Sequence, residues 1–99
     1  MTFLELTPDR LESAANMLKA IAHPIRIAIV GLLEGDKRLT VTQIHEQLGI
    51  EQPAASHHLG VLKDKGLLLS KREGNNTYYS LKFCDLSKIV DCISRCNND

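Results

Sequence analysis

Between positions 52 and 57 of this 99-residue chain stand Gln52, Ala54, Ala55, Ser56 and His57, side chains that are either small or carry hydrogen-bonding groups. On the outer face of a helix such a set can approach base edges in a DNA major groove. There amide, hydroxyl and imidazole groups meet donors and acceptors, and small residues let the backbone come close. A helix shaped only for solvation would more often carry Glu and Lys there. Covalent catalysis is a poor fit. Ser56 and His57 are sequence neighbours, about 100° apart around a helix, so hydroxyl and imidazole diverge and cannot serve as nucleophile and base. No enzyme is expected.

These residues need a short helix with a defined start and stop. Pro53 suits a first helical position, where a missing N–H costs nothing, and Gly66 suits the left-handed residue beyond the end. Leu59 and Leu62 supply an inner face, with Gln52, Ala54, Ala55, Ser56 and His57 placed outside. Upstream, Thr40-Val41-Thr42-Gln43 reads as a capping box. Val41, Ile44 and Leu48 follow at helical spacing, and Gly49 ends the run. Helix, glycine-containing turn and second helix make a helix-turn-helix.

Downstream, residues 67–73 and 77–81 read as two strands around the turn chemistry of Gly74-Asn75-Asn76, the second strand carrying Tyr78 and Tyr79. A helix-turn-helix followed by a β-hairpin predicts a winged helix, mainly α, with about five helices and two strands. The hairpin tip carries Lys71, Arg72, Asn75, Asn76 and Thr77, which can reach phosphates or a minor groove; the plain alternative is a solvated hairpin. Thr40, Thr42 and Gln43 at the first helix of the pair, with Lys63 toward the end of the second, complete the set expected to meet DNA.

Charge is balanced, with 12 Lys and Arg against 12 Asp and Glu, so its sum says nothing about nucleic acid. Its distribution does. Residues 52–82 hold Lys63, Lys65, Lys71, Arg72 and Lys82 against only Asp64 and Glu73, the footprint of a DNA face on a neutral protein. Residues 1–99 read as a single domain of a size that gains from pairing with a second copy. No apolar run reaches spanning length and no signal peptide opens the chain, so a cytoplasmic protein with no membrane partner is expected.

Thr7-Pro8-Asp9 is a helix start, followed by Leu11, Ala14, Ala15, Leu18 and Ile21 at helical spacing. Pro24 opens a second helix, apolar on most sides and expected to end at Gly35. A last helix is expected from near Cys84, with Leu86, Ile89, Val90 and Ile93 on one face. The first and last stripes fit a dimer seam or a plain core. Of the histidines, His57 is expected toward the groove and His58 sideways toward the body. His23 before Pro24 is read as structural, and His45 as a surface or packing residue. No Cys/His spacing of zinc-finger type is present.

Three segments together are similar to the ArsR/SmtB family of bacterial transcriptional repressors: Lys19-Ala20-Ile21-Ala22-His23-Pro24-Ile25-Arg26-Ile27-Ala28-Ile29-Val30, then Ala54-Ala55-Ser56-His57-His58-Leu59 with Leu62, then Gly66-Leu67-Leu68 with Arg72-Glu73-Gly74 and Tyr78-Tyr79-Ser80-Leu81. The likeness covers residues 8 to 98. It implies a homodimer joined through the first and last helices, seated on double-stranded operator DNA and leaving it when an inducer binds. In such families the inducer is commonly a metal ion or a reactive sulfur or arsenic species. The positions that the resemblance would assign to a metal in the last helix hold Phe83, Asp85, Cys96 and Asp99, and Phe83 cannot ligate. Those assigned to a Cys-x-Cys hold Thr40 and Thr42. The cofactor therefore stays open between a soft metal ion and none.

Cys84, Cys92 and Cys96 are the chain's three cysteines, all expected in the last helix. Cys92 and Cys96, four residues apart, would have Cβ atoms about 5–6 Å apart, better suited to sharing one soft ion than to a disulfide. Cys84 would lie about 18 Å along the axis from Cys96. The register implied by the resemblance would bring it near Cys96 of the other subunit. Three readings stand side by side: thiol-based sensing, since thiolates select soft metals and oxidants; small packing residues in a dimer helix; or an Asp85/Cys96/Asp99 metal site. For the whole chain the alternatives to an inducible repressor are a winged-helix protein-interaction module that does not use DNA and a repressor without a metal sensor site.

Overall fold

The computed structural model describes residues 7–97. In chain order these form α1 (Pro8–Ile21), α2 (Pro24–Leu32), β1 (Leu39–Thr40), α3 (Val41–Leu48), α4 (Gln52–Asp64), β2 (Leu68–Glu73), β3 (Asn76–Leu81) and α5 (Leu86–Asn97). The sheet is antiparallel with order β1-β3-β2. The winged helix-turn-helix and five helices are as expected. The described residues carry three strands rather than two. The extra one, β1, pairs Leu39 with Tyr79 and Thr40 with Tyr78, and two residues are too short to show a periodic pattern.

Local chemistry sets the boundaries. Thr7 caps α1 by accepting from the Arg10 N–H at 3.2 Å. The Thr40 N–H donates to Gln43 Oε1 at 2.9 Å while the Gln43 N–H donates to Thr40 Oγ1 at 3.2 Å, so the capping box before α3 is complete. Gly49 ends α3 at φ 66° and ψ 34°, a backbone state that disfavours side chains. Helix α2 stops at Leu32, short of Gly35. Leu33 is its cap, and Gly35 and Asp36, both at positive φ, turn the chain toward β1.

Helix α5 also starts later than its sequence pattern suggests, at Leu86. Residues 83–85 form a turn, in which the Leu86 N–H reaches the Phe83 carbonyl and the Ser87 hydroxyl reaches that of Cys84. Cys84 therefore lies outside the helix, and its expected helical offset from Cys92 and Cys96 does not hold.

Ile29, Val30, Leu33, Ile44, Ala55, Leu59, Leu62 and Leu67 are fully buried and form the centre of the core. Burying a Leu or Ile side chain contributes roughly 1.5–3 kcal/mol relative to exposure, so Leu59 and Leu62 anchor α4. On α1, Ala20 and Ile21 are buried in this core and Met17 packs against it, while Leu11 and Leu18 remain 47% and 56% exposed. On α5, Leu86 is buried and Ile89 and Val90 pack against the core, while Ile93 faces out. Of the apolar stripe of α1, Ile21 is therefore core within one chain, whereas Leu11 and Leu18 are not.

Candidate nucleic-acid interface

Helix α4 presents Gln52, Pro53, Ala54, Ser56 and His57 to solvent. Ala55 corrects the sequence expectation. It is fully buried, because residues 55, 59 and 62 fall on one stripe at helical spacing and Ala55 joins Leu59 and Leu62 beneath the helix. The outer face is held from below by three apolar side chains. Above them it offers an amide, a hydroxyl and an imidazole. Lys63 is exposed near the helix end. There the Gly66 N–H bonds the Lys63 carbonyl and the Leu67 N–H the Leu62 carbonyl, each at 2.9 Å, with Gly66 at φ 78°. These bonds run α4 directly into the wing.

On α3, Thr40 and Gln43 are engaged with each other through the capping box, whereas Thr42 is exposed. The His45 Nδ1 lies 3.1 Å from the Ile50 carbonyl and ties the helix to the turn. The ring is the donor there, since a carbonyl oxygen only accepts. His58 turns sideways, as expected. Its Nδ1 accepts from Arg26 Nε at 3.1 Å, and its ring lies 4.5 Å from that of His23. His23 is structural, its own Nδ1 capping α2 by accepting from the Ile25 N–H at 3.1 Å. Burial first, then the positive charge available to His23, Arg26 and His57, lowers the His58 pKa below its ordinary value.

The wing is a hairpin with a two-residue loop, Glu73 pairing with Asn76 across Gly74-Asn75. Gly74 at φ 62° takes the first central position, as in a type II′ turn. Lys71, Arg72, Asn75 and Asn76 are exposed at this end. Arg72 Nε reaches the Gly74 carbonyl at 3.4 Å. Glu73 is paired with Arg38 at 2.7 Å and with Lys71 at 3.8 Å. Arg38 also lies over the Tyr78 ring, 4.9 Å from its centroid. Sequence reasoning misses Arg38. It lies outside the basic segment, and only the pairing of β1 with β3 carries it to the wing.

Cys84, Cys92 and Cys96 are free and exposed. Cys84 sits in the turn before α5, with its Sγ 4.0 Å from Asp85 Oδ1, and the other two lie four residues apart on the helix. Packing within one chain does not account for them. Among the described residues no group of three His, Cys, Asp or Glu side chains could hold a metal ion, and Asp99 lies outside those residues. With Phe83, Thr40 and Thr42 at the positions assigned by the resemblance, the described residues do not fit a resident metal. No single described helix is long and apolar enough to cross a membrane.

A helix-turn-helix domain family matches residues 21–70, from the end of α1 into β2. The biofilm growth-associated repressor of Xylella fastidiosa is 33% identical over 85 residues, 85% of this chain and 73% of that protein. The HTH-type transcriptional repressor SmtB of Mycobacterium tuberculosis is 36% identical over 90 residues, 90% of this chain and 66% of its own length. Among solved structures, the homodimeric winged helix-turn-helix DNA-binding domain Mb0332 of Mycobacterium bovis, a candidate ArsR-family regulator, superposes with a TM-score of 0.75. That match has 28% identity and covers 89% of this chain and 81% of the other.

Proposed function

The chain belongs to the ArsR/SmtB family of winged helix-turn-helix transcriptional repressors, DNA-binding regulators and not enzymes, and from that footing we propose that it works as a homodimer on an inverted-repeat operator in the cytoplasm. The outer face of α4 carries this reading. Its exposed Gln52, Ala54, Ser56 and His57 stand on a helix fixed by buried Ala55, Leu59 and Leu62. These four read bases. Thr42, Lys63, Lys71, Arg72, Asn75 and Asn76 meet the phosphate backbone or the adjacent minor groove and set register. Thr40 and Gln43 contribute by capping α3.

The second copy docks through α1 and α5, covering Leu11, Leu18 and Ile93, whose exposure in one chain a dimer seam would remove. Release from the operator is assigned to the thiols of Cys92 and Cys96, with the partner subunit's Cys84 completing the set; all three positions are exposed and available to a soft or oxidising inducer. Two recognition helices related by a two-fold axis engage half-sites about one helical turn, roughly 10–12 bp, apart. A footprint on the chain's own upstream region, read together with complex stoichiometry, tests this. Two symmetric protected patches bound by a dimer are expected. A monomer covering one half-site at saturating protein contradicts it.

A further inference from the structure

Beneath the recognition helix lies a polar cluster that makes no use of the DNA face. Arg26, in the first turn of α2, donates from Nε to His58 Nδ1 on α4 at 3.1 Å and from Nη1 to the Ala20 carbonyl at 3.2 Å. That carbonyl belongs to the last turn of α1, where helix carbonyls lack partners of their own. One guanidinium thus joins the end of α1 to the middle of α4. His23 closes the cluster, its ring 4.5 Å from His58, and His57 lies 5.4 Å away on the outer side.

The bond works only for one protonation state. A guanidinium has donors and no acceptor, so His58 Nδ1 must be a bare lone pair and the proton of the neutral ring sits on Nε2. A second proton on Nδ1 would set N–H against N–H and cation against cation. The charged and titratable groups acting on His58 are Arg26 and His23 from α2 and its cap, and His57 from its own helix. The Ala20 carbonyl at the end of α1 enters the cluster through Arg26, as the second acceptor of the same guanidinium. No carboxylate among the described residues acts on His58 to compensate a positive charge.

Resting on the DNA-binding role proposed above, we propose that His58 is a positioning residue whose neutral form docks α4 on Arg26, so that uptake of one proton per chain at His58 loosens the recognition helix and weakens operator binding. The sign follows from the lowered folded-state pKa. Both docked and released forms are neutral above the ordinary histidine value of about 6.5. As pH falls below that value, the released form takes up the proton first, and the docked form loses ground until its own depressed pKa is passed. This runs against the common trend for DNA-binding proteins. Positive charge gained on acidification ordinarily strengthens attraction to phosphate.

The test is the affinity of the full chain for its own upstream duplex, and for an unrelated duplex, from about pH 8 to about pH 5.5 at fixed salt, the range in which histidines change charge. Wild type and His57→Gln should both lose about tenfold or more in affinity on the upstream duplex, one proton per chain giving at most tenfold per pH unit per chain. His58→Asn, whose amide oxygen keeps an acceptor without titrating, should be flat or rise as pH falls. Binding that occurs but shows the same pH profile in wild type and His58→Asn overturns the proposal while leaving the DNA-binding role intact. Failure to prefer the upstream duplex at any pH removes that role, and this proposal with it. An NMR titration of His58 in the wild type covers the case of a variant that does not fold. Its pKa should drop further on DNA, and an unchanged value overturns the coupling.

Discussion

Glu73 Oε1 accepts from Arg38 Nη2 at 2.7 Å, so the sole acid of the wing hairpin holds a cation supplied by the connection between α2 and β1. Both side chains are nearly half exposed, and Lys71 approaches the same carboxylate at 3.8 Å. Such a surface pair contributes about 0–1 kcal/mol to stability, so its larger effect is on where the cations point. In Glu73→Gln, Arg38 and Lys71 are released. Unfolding free energy should change by less than about 1 kcal/mol. Affinity for any duplex should rise, with a salt slope steeper by about one. Weaker binding to unrelated DNA would show instead that Glu73 orients the wing.

Reading and positioning residues should separate by substitution. Lys63→Ala and Arg72→Ala each withdraw a cation from the phosphates, so binding should fall alike on all sequences. The salt slope should flatten by about one for each phosphate left without its cation. Gln52→Ala, Ser56→Ala and His57→Ala should cost about 1–3 kcal/mol chiefly on the upstream operator. Equal losses on random DNA for the Ser56 and His57 variants would take those side chains out of the base-reading set.

Replacing Cys84, Cys92 or Cys96 singly by Ser should leave operator affinity in place and remove inducer-driven release. Serine keeps approximate shape and loses the soft, acidic thiol. A hundredfold loss of affinity on induction corresponds to a coupling of about 2.7 kcal/mol. Operator occupancy is measured for wild type and each variant with arsenite, Cu(I), Cd(II), a persulfide donor and peroxide. Wild type that stays bound in all five, with its thiols shown to react, returns the cysteines to packing in the dimer helix.

Legibility follows the range of the signals. Pro53, Gly66 and Gly74 and the β-branched and aromatic content around Tyr78 and Tyr79 are local, and α4 and the wing form where those residues indicate. Ala55 reads as outward in the sequence, wrongly, because alanine gives no hydrophobic contrast with its neighbours. The late start of α5 is hidden because residues 83–85 contain no Gly or Pro to interrupt a pattern extended back from Leu86. The sideways turn of His58 follows from helix geometry and is readable. Its partner is not, since Arg26 lies 32 residues away and no periodicity links them. Arg38 and Glu73, 35 residues apart, meet for the same reason only in the folded chain.

Affinity for a duplex from the chain's own upstream region, set against an unrelated duplex at two salt concentrations, tests the DNA-binding claim most directly. A face of small and hydrogen-bonding side chains on α4 beside a basic wing predicts tighter binding to the upstream duplex, by a factor on the order of 10³ or more. It also predicts log K falling linearly with log salt, with a slope of about −0.9 for each phosphate neutralised. No preference for the upstream duplex, or affinity indifferent to salt, would contradict the account and leave a winged helix that serves contacts other than DNA.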